Sequence, residues 1–277
     1  MRTNKALFTT IYEAAVGAGM PDACLLQVEA REEINELLSC HESVDLIIPR
    51  GSNSFVRYIM DHSKIPVMGH ADGICHVYAD KAADIEKSIS VIVDAKTQYV
   101  AVCNAAETLL VHEDIAPKLL PALKEALEAK NVEIRGTKEV QDIISCHPAE
   151  EEDFATEYLD YIISIKLVKS MEEAIDHINR YGSHHTDCIL TEDKEAAKHF
   201  MMLVDSAGVY HNCSTRFADG FRYGFGAEVG VSTGKLHARG PVGLEGLVTY
   251  KYKLFGDGHI VADYAEGRKE FHFKDIR

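Results

Sequence analysis

Hydrophobic and polar positions along the chain alternate between helical and strand spacing as far as about residue 211. Apolar residues at intervals of three and four predict helices, and short runs rich in β-branched residues predict strands. The predicted helices cover residues 5–18, 31–38, 55–62, 84–95, 115–129, 170–180 and 194–203. The predicted strands cover residues 24–28, 44–48, 65–68, 75–78, 108–111, 132–135, 161–168, 188–190, 208–210 and 249–255. Strands that alternate with helices indicate an α/β fold with a mostly parallel, doubly wound sheet.

The pattern changes in two places. A break near residues 97–101 divides the predicted elements into two α/β lobes, and residues 212–246 form a glycine-rich stretch without long apolar runs. A loop of that length inside a compact domain is usually functional. In open parallel sheets, ligands bind beyond the carboxyl ends of the strands and at junctions between lobes. Cys103 closely follows the break, so we expect it at such a junction.

Composition narrows the class of protein. The chain has 277 residues and a formal net charge of -15, which argues against a nucleic-acid surface because such a surface needs a basic field. The sequence contains no run of about 18 apolar residues, so we expect no membrane span. The N-terminus also lacks the long apolar core of a secretory signal.

The cysteines point to a cytoplasmic protein with reduced thiols. None of them forms a C-x-x-C pair, so the sequence predicts neither a zinc knuckle nor a thioredoxin motif, and we expect no metal site. Most free cysteines serve as small buried apolar residues. The seven cysteines are Cys24, Cys40, Cys75, Cys103, Cys146, Cys188 and Cys213.

Cys103 is the cysteine whose context differs. Small residues surround it, which would let a substrate reach the sulfur. If residues 104–107 form a helical turn, the amides at its start favour a thiolate and could stabilise an oxyanion. The alternative is a buried cysteine in a tight turn.

His70 is the second candidate for chemistry. It follows a predicted strand and lies near glycines, a placement that often exposes a side chain in a cleft. A histidine beside a cysteine can activate the thiol or carry its proton. The alternative is a histidine that hydrogen-bonds a loop.

The glycine-rich stretch contains groups suited to an anion. Guanidinium groups bind carboxylate and phosphate in a bidentate manner, and glycine lets the backbone approach a ligand. The alternative is a structural loop whose arginines pair with Asp219, Glu228 or Glu245. The candidate substrate-binding residues are Ser214, Thr215, Arg216 and Arg222, followed by His237 and Arg239.

Several long motifs resemble the γ-glutamyl phosphate reductase family. They are VDLIIPRGS at residues 44–52, IPVMGHADGICHVY at 65–78, Cys103-Asn104-Ala105 with Glu107-Thr108, SHHTD at 183–187, STRF at 214–217, GAEVG at 226–230 and LHARGPVGLEG at 236–246. The similarity extends over essentially the whole chain. This family belongs to the aldehyde dehydrogenase superfamily.

The resemblance implies a fold and an activity. It implies an aldehyde-dehydrogenase-like α/β fold with a partial NADP-binding lobe at residues 1–100. A catalytic lobe at 101–246 would return to the nucleotide lobe near its end, and 247–277 would form a C-terminal oligomerisation strand and tail. The implied reaction is NADPH-dependent reduction of L-glutamate 5-phosphate to L-glutamate 5-semialdehyde in proline biosynthesis. The implied partners are further copies of the chain and glutamate 5-kinase.

The resemblance also implies roles for individual residues. Cys103 falls on the family's nucleophile, and Glu157 falls near the superfamily glutamate that holds the nicotinamide ribose. His70 falls near the position where hydrolytic aldehyde dehydrogenases place a general-base glutamate. The turn of Arg50, Gly51 and Ser52 supplies further candidate cofactor contacts, although it carries no G-x-G-x-x-G fingerprint.

Some features depart from the family. We expect the family's first strands, its ribose-binding lysine and its oxyanion-hole asparagine to lie upstream of Met1, and the family usually has proline at Val100 and a larger residue at Ala106. Three alternatives therefore stand beside the reductase: a catalytically incomplete fragment that acts as an oligomerisation or interaction module, the reductase half of a bifunctional kinase-reductase, and a hydrolytic aldehyde dehydrogenase.

Overall fold

The structure, a computed structural model, describes residues 2–28 and 31–274. The chain divides into two compact units, Met1–Leu247 and Val248–Arg277. The strands of the first unit are β1 (Cys75–Ala79), β2 (Ala106–His112), β3 (Glu133–Gly136), β4 (His147–Pro148), β5 (Ile162–Val168), β6 (Thr186–Leu190), β7 (Gly208–His211), β8 (Gly230–Ser232) and β9 (Gly240–Val242). The helices of the chain are α1 (Arg2–Gly17), α2 (Arg31–Leu37), α3 (Asn53–His62), α4 (Ile85–Thr97), α5 (Ala116–Glu128), α6 (Lys138–Gln141), α7 (Met171–Tyr181), α8 (Lys194–Leu203), α9 (Gly220–Tyr223) and α10 (Val261–Ala265).

A parallel seven-stranded sheet forms the centre of the first unit, with strand order β4-β3-β5-β2-β1-β6-β7. Helices cover both of its faces, so its central strands are buried throughout, as expected for parallel sheets. Strands β8 and β9 form a separate antiparallel pair. The aldehyde-dehydrogenase-like α/β fold predicted from the sequence is confirmed.

Alternation along β1 shows how the two faces are filled. Val77 lies in a core cluster with Ile92 of α4 and Leu119 of α5. The next residue, Tyr78, points to the other face and stacks on Phe200 of α8, with ring centroids 6.0 Å apart. Each fully buried side chain of this size contributes about 1.5–3 kcal/mol through the hydrophobic effect, so these two layers fix the sheet between its helices.

Helix starts were predictable because they depend on local hydrogen bonds. Asp84, Ser170 and Asp193 each cap a helix by accepting a hydrogen bond from a backbone N–H in its first turn. The predicted helix over residues 194–203 matches α8 residue for residue. The helices over 5–18, 31–38, 55–62, 84–95, 115–129 and 170–180 are also confirmed, with ends shifted by a few residues.

Strand predictions were less accurate before β1 than after it. The predicted strand at residues 24–28 is wrong, because that segment has no ladder partner in the described chain. Residues 44–48 and 65–68 meet only at one parallel bridge between Ile47 and Val67. The predicted strand at 249–255 has no ladder hydrogen bonds among the described residues. A strand exists only where a second segment completes its hydrogen bonds, which a local pattern does not report.

The break predicted near residues 97–101 falls inside one sheet. β1 lies before it and β2 after it, and all five residues of β1 pair with β2, from Cys75 with Ala106 to Ala79 with Val111. The glycine-rich stretch after residue 211 contains α9 and the β8–β9 pair as well as loops.

The second unit contains α10 and little other regular structure. Arg268 and Lys269 pair with Asp263 of that helix, at 2.9 and 3.0 Å respectively. Many of its large apolar side chains are exposed, including Tyr252, Leu254 and Phe273. Among the described residues of the whole chain, no helix has the length and hydropathy needed to cross a membrane.

Candidate active site

The residues predicted to carry chemistry collect at the amino edge of the parallel sheet. Cys103 lies in the turn that precedes β2, His70 lies in the loop that precedes β1, and His185 immediately precedes β6. One sulfur or ring nitrogen from each of the three lies within 4.8 Å of those of the other two. The site therefore lies where the strands begin, and not beyond their carboxyl ends, where ligands of open parallel sheets usually bind. In a parallel sheet, the loops that precede the strands meet at one edge, just as the loops that follow the strands meet at the opposite edge.

Cys103 is held in a tight turn, in which the Ala105 amide donates a 3.0 Å hydrogen bond to the Val102 carbonyl. The backbone of Gly73 lies against this turn. A Cβ atom at Gly73 would lie 2.3 Å from both the Cα and the carbonyl oxygen of Cys103. Glycine is thus the residue that lets the His70 loop approach the thiol.

The predicted helical turn over residues 104–107 is wrong, since Ala106 and Glu107 are already part of β2. The predicted thiolate-favouring environment is absent as well. Burial raises the pKa of Cys103 to about 11, and the Glu157 and Glu228 carboxylates add to this increase, while the Arg50 charge opposes it. The thiol is therefore protonated near neutral pH and needs a base.

Alkylation should report this protonation directly. We expect the rate of Cys103 modification by iodoacetamide to rise about tenfold per pH unit between pH 7 and 10, because the reactive thiolate grows in that proportion below its pKa. Peptide mass spectrometry would measure the rate, with the exposed Cys40 as an internal reference. A plateau of the Cys103 rate near pH 8 would contradict the buried, protonated thiol.

His70 is placed to act as that base. Its Nδ1 lies 2.8 Å from the Val231 carbonyl oxygen. A carbonyl only accepts, so Nδ1 carries a proton, and in the neutral ring Nε2 has a free lone pair. The two histidine rings meet edge to face, with centroids 5.0 Å apart for His70 and His185. Burial, with a smaller effect of His70, lowers the pKa of His185 to about 3, so its ring is neutral.

Ser214 and Thr215 hold the residue after the thiol. The Thr215 hydroxyl donates a 2.7 Å hydrogen bond to the Asn104 carbonyl, and the Asn104 amide donates a 2.8 Å hydrogen bond to the Ala218 carbonyl. The Ser214 hydroxyl accepts from the Arg216 backbone N–H. Both hydroxyls therefore have local partners, and their predicted contact with substrate stays a prediction.

Arg216 is the arginine best placed for an anion. It is 8% exposed, its Nε donates a 2.9 Å hydrogen bond to Gln98, and one terminal nitrogen has no partner among the described residues. Burial, followed by the Arg222 charge, lowers its pKa, while the charge of Cys103 acts in the opposite direction. Arginine stays protonated even so. A buried cation with a free donor therefore lies within electrostatic reach of the thiol.

The other candidate cations have partners. Arg222 donates a 2.8 Å hydrogen bond to the Arg216 carbonyl and pairs with Asp219 at 3.6 Å. Arg239 pairs with Asp205 at 3.1 Å and, with the exposed His237, lines an open cleft of about 470 Å³. Pairing with Asp219 was one of the structural alternatives considered for these arginines.

The turn before α3 has structural contacts of its own. Ser52 caps α3 by accepting a hydrogen bond from the Phe55 amide, and a side chain at Gly51 would overlap the Phe55 ring. Arg50 donates to the Val229 carbonyl and lines a small cavity with His70. The predicted cofactor contacts of these three residues stay predictions.

Glu157 contacts α3 and acts electrostatically on the thiol. Its carboxylate accepts a 3.2 Å hydrogen bond from the side chain of Asn53, the first residue of α3, and it is half-buried. It is the strongest charged influence on the pKa of Cys103, after burial. The remaining lone pairs of this carboxylate could accept hydrogen bonds from ribose hydroxyls, so the residue fits its predicted role.

A buried ion pair joins α4 to the start of β2. The Lys96 ammonium donates a 2.6 Å hydrogen bond to the Glu107 carboxylate, and neither side chain is exposed. Burial raises the pKa of Glu107 to about 7, although Lys96 opposes the increase. Burial also lowers the pKa of Lys96.

This pair should make stability depend on pH. Between about pH 4.5 and 7 the unfolded chain loses a proton that folded Glu107 retains, so the free energy of unfolding should fall as pH rises through that window. In Glu107→Gln the fall should shrink by about 1–3 kcal/mol, measured by urea unfolding at several pH values. The exposed carboxylate variant Glu192→Gln is the control. An unchanged pH profile in Glu107→Gln would contradict the raised pKa.

Sequence reasoning did not single out Gly73 or assign a role to His185. The loop containing Gly73 was noted for its glycines, but the close approach to Cys103 depends on the pairing of β1 with β2. His185 appeared only within a matched motif. Its burial and its position beside His70 depend on β6 lying next to β1.

Comparison with known proteins gives the site a family. Residues 3–144, slightly more than half of the chain, match the family model described as the aldehyde dehydrogenase family. A γ-glutamyl phosphate reductase of Acetivibrio thermocellus is 64% identical over 269 residues, which are 97% of this chain and 62% of the relative. γ-Glutamyl phosphate reductase 1 of Synechocystis sp. is 62% identical, over 92% of this chain and 59% of the relative. The chain thus spans about three fifths of the length of these curated relatives.

Solved structures support the same family. The crystal structure of a γ-glutamyl phosphate reductase from Thermotoga maritima superposes with a TM-score of 0.89 at 44% identity, covering 93% of this chain and 63% of that one. An engineered glycolyl-CoA reductase with bound NADP+ shares the fold alone, with a TM-score of 0.59 at 16% identity over 83% and 61% of the two chains. The chain belongs to the aldehyde dehydrogenase family, and its relatives at high identity are γ-glutamyl phosphate reductases.

Proposed function

We propose that this chain carries the thioester-forming site of an NADPH-dependent reductase that converts L-glutamate 5-phosphate into L-glutamate 5-semialdehyde and phosphate. One observation carries the proposal: a half-buried thiol, Cys103, lies beside the His70 imidazole and within electrostatic reach of a buried cation, Arg216. These are a nucleophile, its activator and a group for an anionic substrate. The names of the relatives supply the substrate.

The first chemical step uses the two residues at the amino edge. His70 Nε2 takes the thiol proton, and the Cys103 sulfur bonds to the acyl carbon of the acyl phosphate. The bond from that carbon to the phosphate oxygen breaks, and phosphate leaves with its electron pair, which yields a thioester. Because burial raises the pKa of Cys103 to about 11, the proton transfer must accompany or directly precede the attack.

Among the predicted cofactor contacts, Glu157 supports a cofactor site. Its half-buried carboxylate accepts a hydrogen bond from the first residue of α3 and raises the pKa of Cys103, a placement that suits a ribose near the thioester. NADPH, when bound, supplies the hydride that reduces the thioester carbon. The thiohemiacetal anion that results loses its carbon–sulfur bond and releases the aldehyde, and the Cys103 thiolate takes back the proton held on His70 Nε2.

His70 also separates a reductase from a hydrolytic enzyme. A hydrolytic aldehyde dehydrogenase needs a base that delivers water to the thioester. Here the imidazole is fixed by its hydrogen bond to the Val231 carbonyl, in a small cavity next to Val229, Gly230 and Val242. An imidazole fixed beside the thiol suits proton exchange with sulfur.

Assembly of the chain into a homo-oligomer, in the cytoplasm, is part of the same proposal. The second unit exposes Val248, Tyr250, Tyr252 and Leu254 at alternate positions. Exposed apolar side chains at every second residue suit addition to the sheet edge of another copy. The family resemblance adds glutamate 5-kinase to the proposed partners.

The test is the reverse reaction, in which NADP+ reduction is followed by the absorbance of the reduced nicotinamide, with glutamate semialdehyde as substrate. Because the chain spans part of its relatives' length, the assay is run on the chain and on the Acetivibrio relative with its matched region replaced by this chain. We expect activity that requires inorganic phosphate. Equal activity without phosphate would indicate the hydrolytic alternative, and NADP+ binding without any turnover would indicate the incomplete fragment.

A further inference from the structure

We propose that His70, Cys103 and His185 form a binding site for one Zn²⁺ ion at the amino edge of the sheet. The site goes beyond the proposed reaction, which assigns no role to His185 or to a metal. Each residue offers one donor atom, and the three donors lie within 4.8 Å of one another. Two imidazole nitrogens and a thiolate are a donor set that Zn²⁺ prefers.

The relative position of the two rings suits a shared ion. Two imidazoles bound about 2.0 Å from one tetrahedral ion have their ring centroids roughly 5 Å apart. The His70 and His185 centroids are 5.0 Å apart, and the ring planes are inclined by 83°. The Cys103 sulfur lies within 4.8 Å of a nitrogen of each ring, which places it next to both imidazoles as the third donor.

Each ring already has a hydrogen-bonding group next to the nitrogen that would not bind the metal, as metal-binding histidines usually do. His70 donates from Nδ1 to the Val231 carbonyl at 2.8 Å, and His185 Nδ1 lies 3.0 Å from the Thr186 hydroxyl. Such contacts orient the ring and leave the other nitrogen for the ion.

The buried nitrogen of His185 is the observation that points most directly to a ligand. His185 has no exposed surface, and its Nε2 has no hydrogen-bond partner in the described part of the chain. A buried polar atom without a partner is costly, which makes a bound group at this point favourable. The donors of this cluster are two imidazoles and a thiol, a set that favours Zn²⁺ over the oxygen-seeking Mg²⁺ and Ca²⁺.

Zn²⁺ at this site would make the protein a zinc-sensitive reductase. The ion would bind the Cys103 sulfur and His70 Nε2, the two atoms that the proposed reaction needs. This consequence rests on the proposed function, whereas the binding site itself does not. A fourth position on the ion would remain for water or for a substrate oxygen.

The experiment uses Co²⁺ as a spectroscopic probe for the Zn²⁺ site and needs no turnover. We expect one equivalent of Co²⁺ to give a thiolate-to-cobalt charge-transfer band that Zn²⁺ abolishes by competition. The band should disappear in Cys103→Ser, and the apparent dissociation constant should rise at least about tenfold in His185→Gln and in His70→Gln, since each loses one ligand. Far-ultraviolet circular dichroism would confirm that each variant is folded.

Two controls separate this site from other thiols and histidines. Cys40→Ser removes an exposed cysteine, and His184→Asn changes a neighbouring histidine at a positive φ that asparagine tolerates. Both should keep the band and its midpoint. A band that persists in folded Cys103→Ser, or no band at tenfold excess of Co²⁺ over the folded parent chain, would overturn the proposal. Failure of this test would leave the phosphate-dependent assay unaffected, so the two proposals fail separately.

Discussion

Replacing Cys103 by alanine should lower phosphate-dependent NADP+ reduction by about 10⁴-fold or more, because the acyl group then has no sulfur to bond to. The loss should appear in kcat, since alanine removes the nucleophile and leaves Arg216 and Glu157 in place to bind substrate and cofactor. The side chain is half-buried in its turn, so the smaller alanine should not disturb the fold. The reverse assay described above measures the effect.

Two comparisons make this result specific. Cys40→Ala, at an exposed position away from the sheet, should retain parental activity. The unfolding midpoint of Cys103→Ala should stay close to that of the parent chain, which would exclude a general loss of structure. More than about a hundredth of parental activity in folded Cys103→Ala would contradict a covalent role for this sulfur.

Gly73→Ala should reduce kcat by about 10²-fold or more and should also destabilise the chain. The added Cβ would lie 2.3 Å from the Cα and carbonyl oxygen of Cys103, and no rotation of a side chain relieves an overlap with backbone atoms. The turn that carries the thiol must therefore move away from His70. A misplacement of about 1 Å at a reacting atom costs on the order of 10²-fold in rate, and forced overpacking costs about 1–3 kcal/mol of stability.

Gly69→Ala is the matched control, because it lies in the same loop. A Cβ there would meet only ring carbons of Pro49, at 3.7 Å, which is ordinary contact. Activity and unfolding should thus change little in Gly69→Ala. An equal loss of activity in both alanine variants would show that the loop is sensitive to substitution in general. The close packing of Gly73 against Cys103 would then not explain the loss.

Local sequence predicted those parts of the fold that depend on local hydrogen bonds. The starts of α4, α7 and α8 could be predicted because Asp84, Ser170 and Asp193 each cap a helix through a hydrogen bond in its first turn. The buried strands from β1 onward could be predicted from their short apolar runs. Segments before β1 have strand-like composition but lack a ladder partner among the described residues, so composition alone was not enough.

The site was only partly predictable, because its properties arise from residues far apart in the sequence. The motifs placed Cys103 and His70 together, yet the edge of the sheet at which they meet depends on strand order. The raised pKa of Cys103 depends on packing against Gly73 and on the Glu157 carboxylate. Likewise, the pairing of Arg239 with Asp205 joins positions 34 residues apart, which spacing did not suggest.

The most direct test of the account is to observe the covalent intermediate on Cys103. The chain is incubated with L-glutamate 5-phosphate, generated in place by a glutamate kinase, in the absence of NADPH, and is then digested and analysed by mass spectrometry. We expect a glutamyl adduct on the peptide that contains Cys103, removable by hydroxylamine and absent in Cys103→Ala. An adduct on another residue, or labelling that persists in Cys103→Ala, would contradict it.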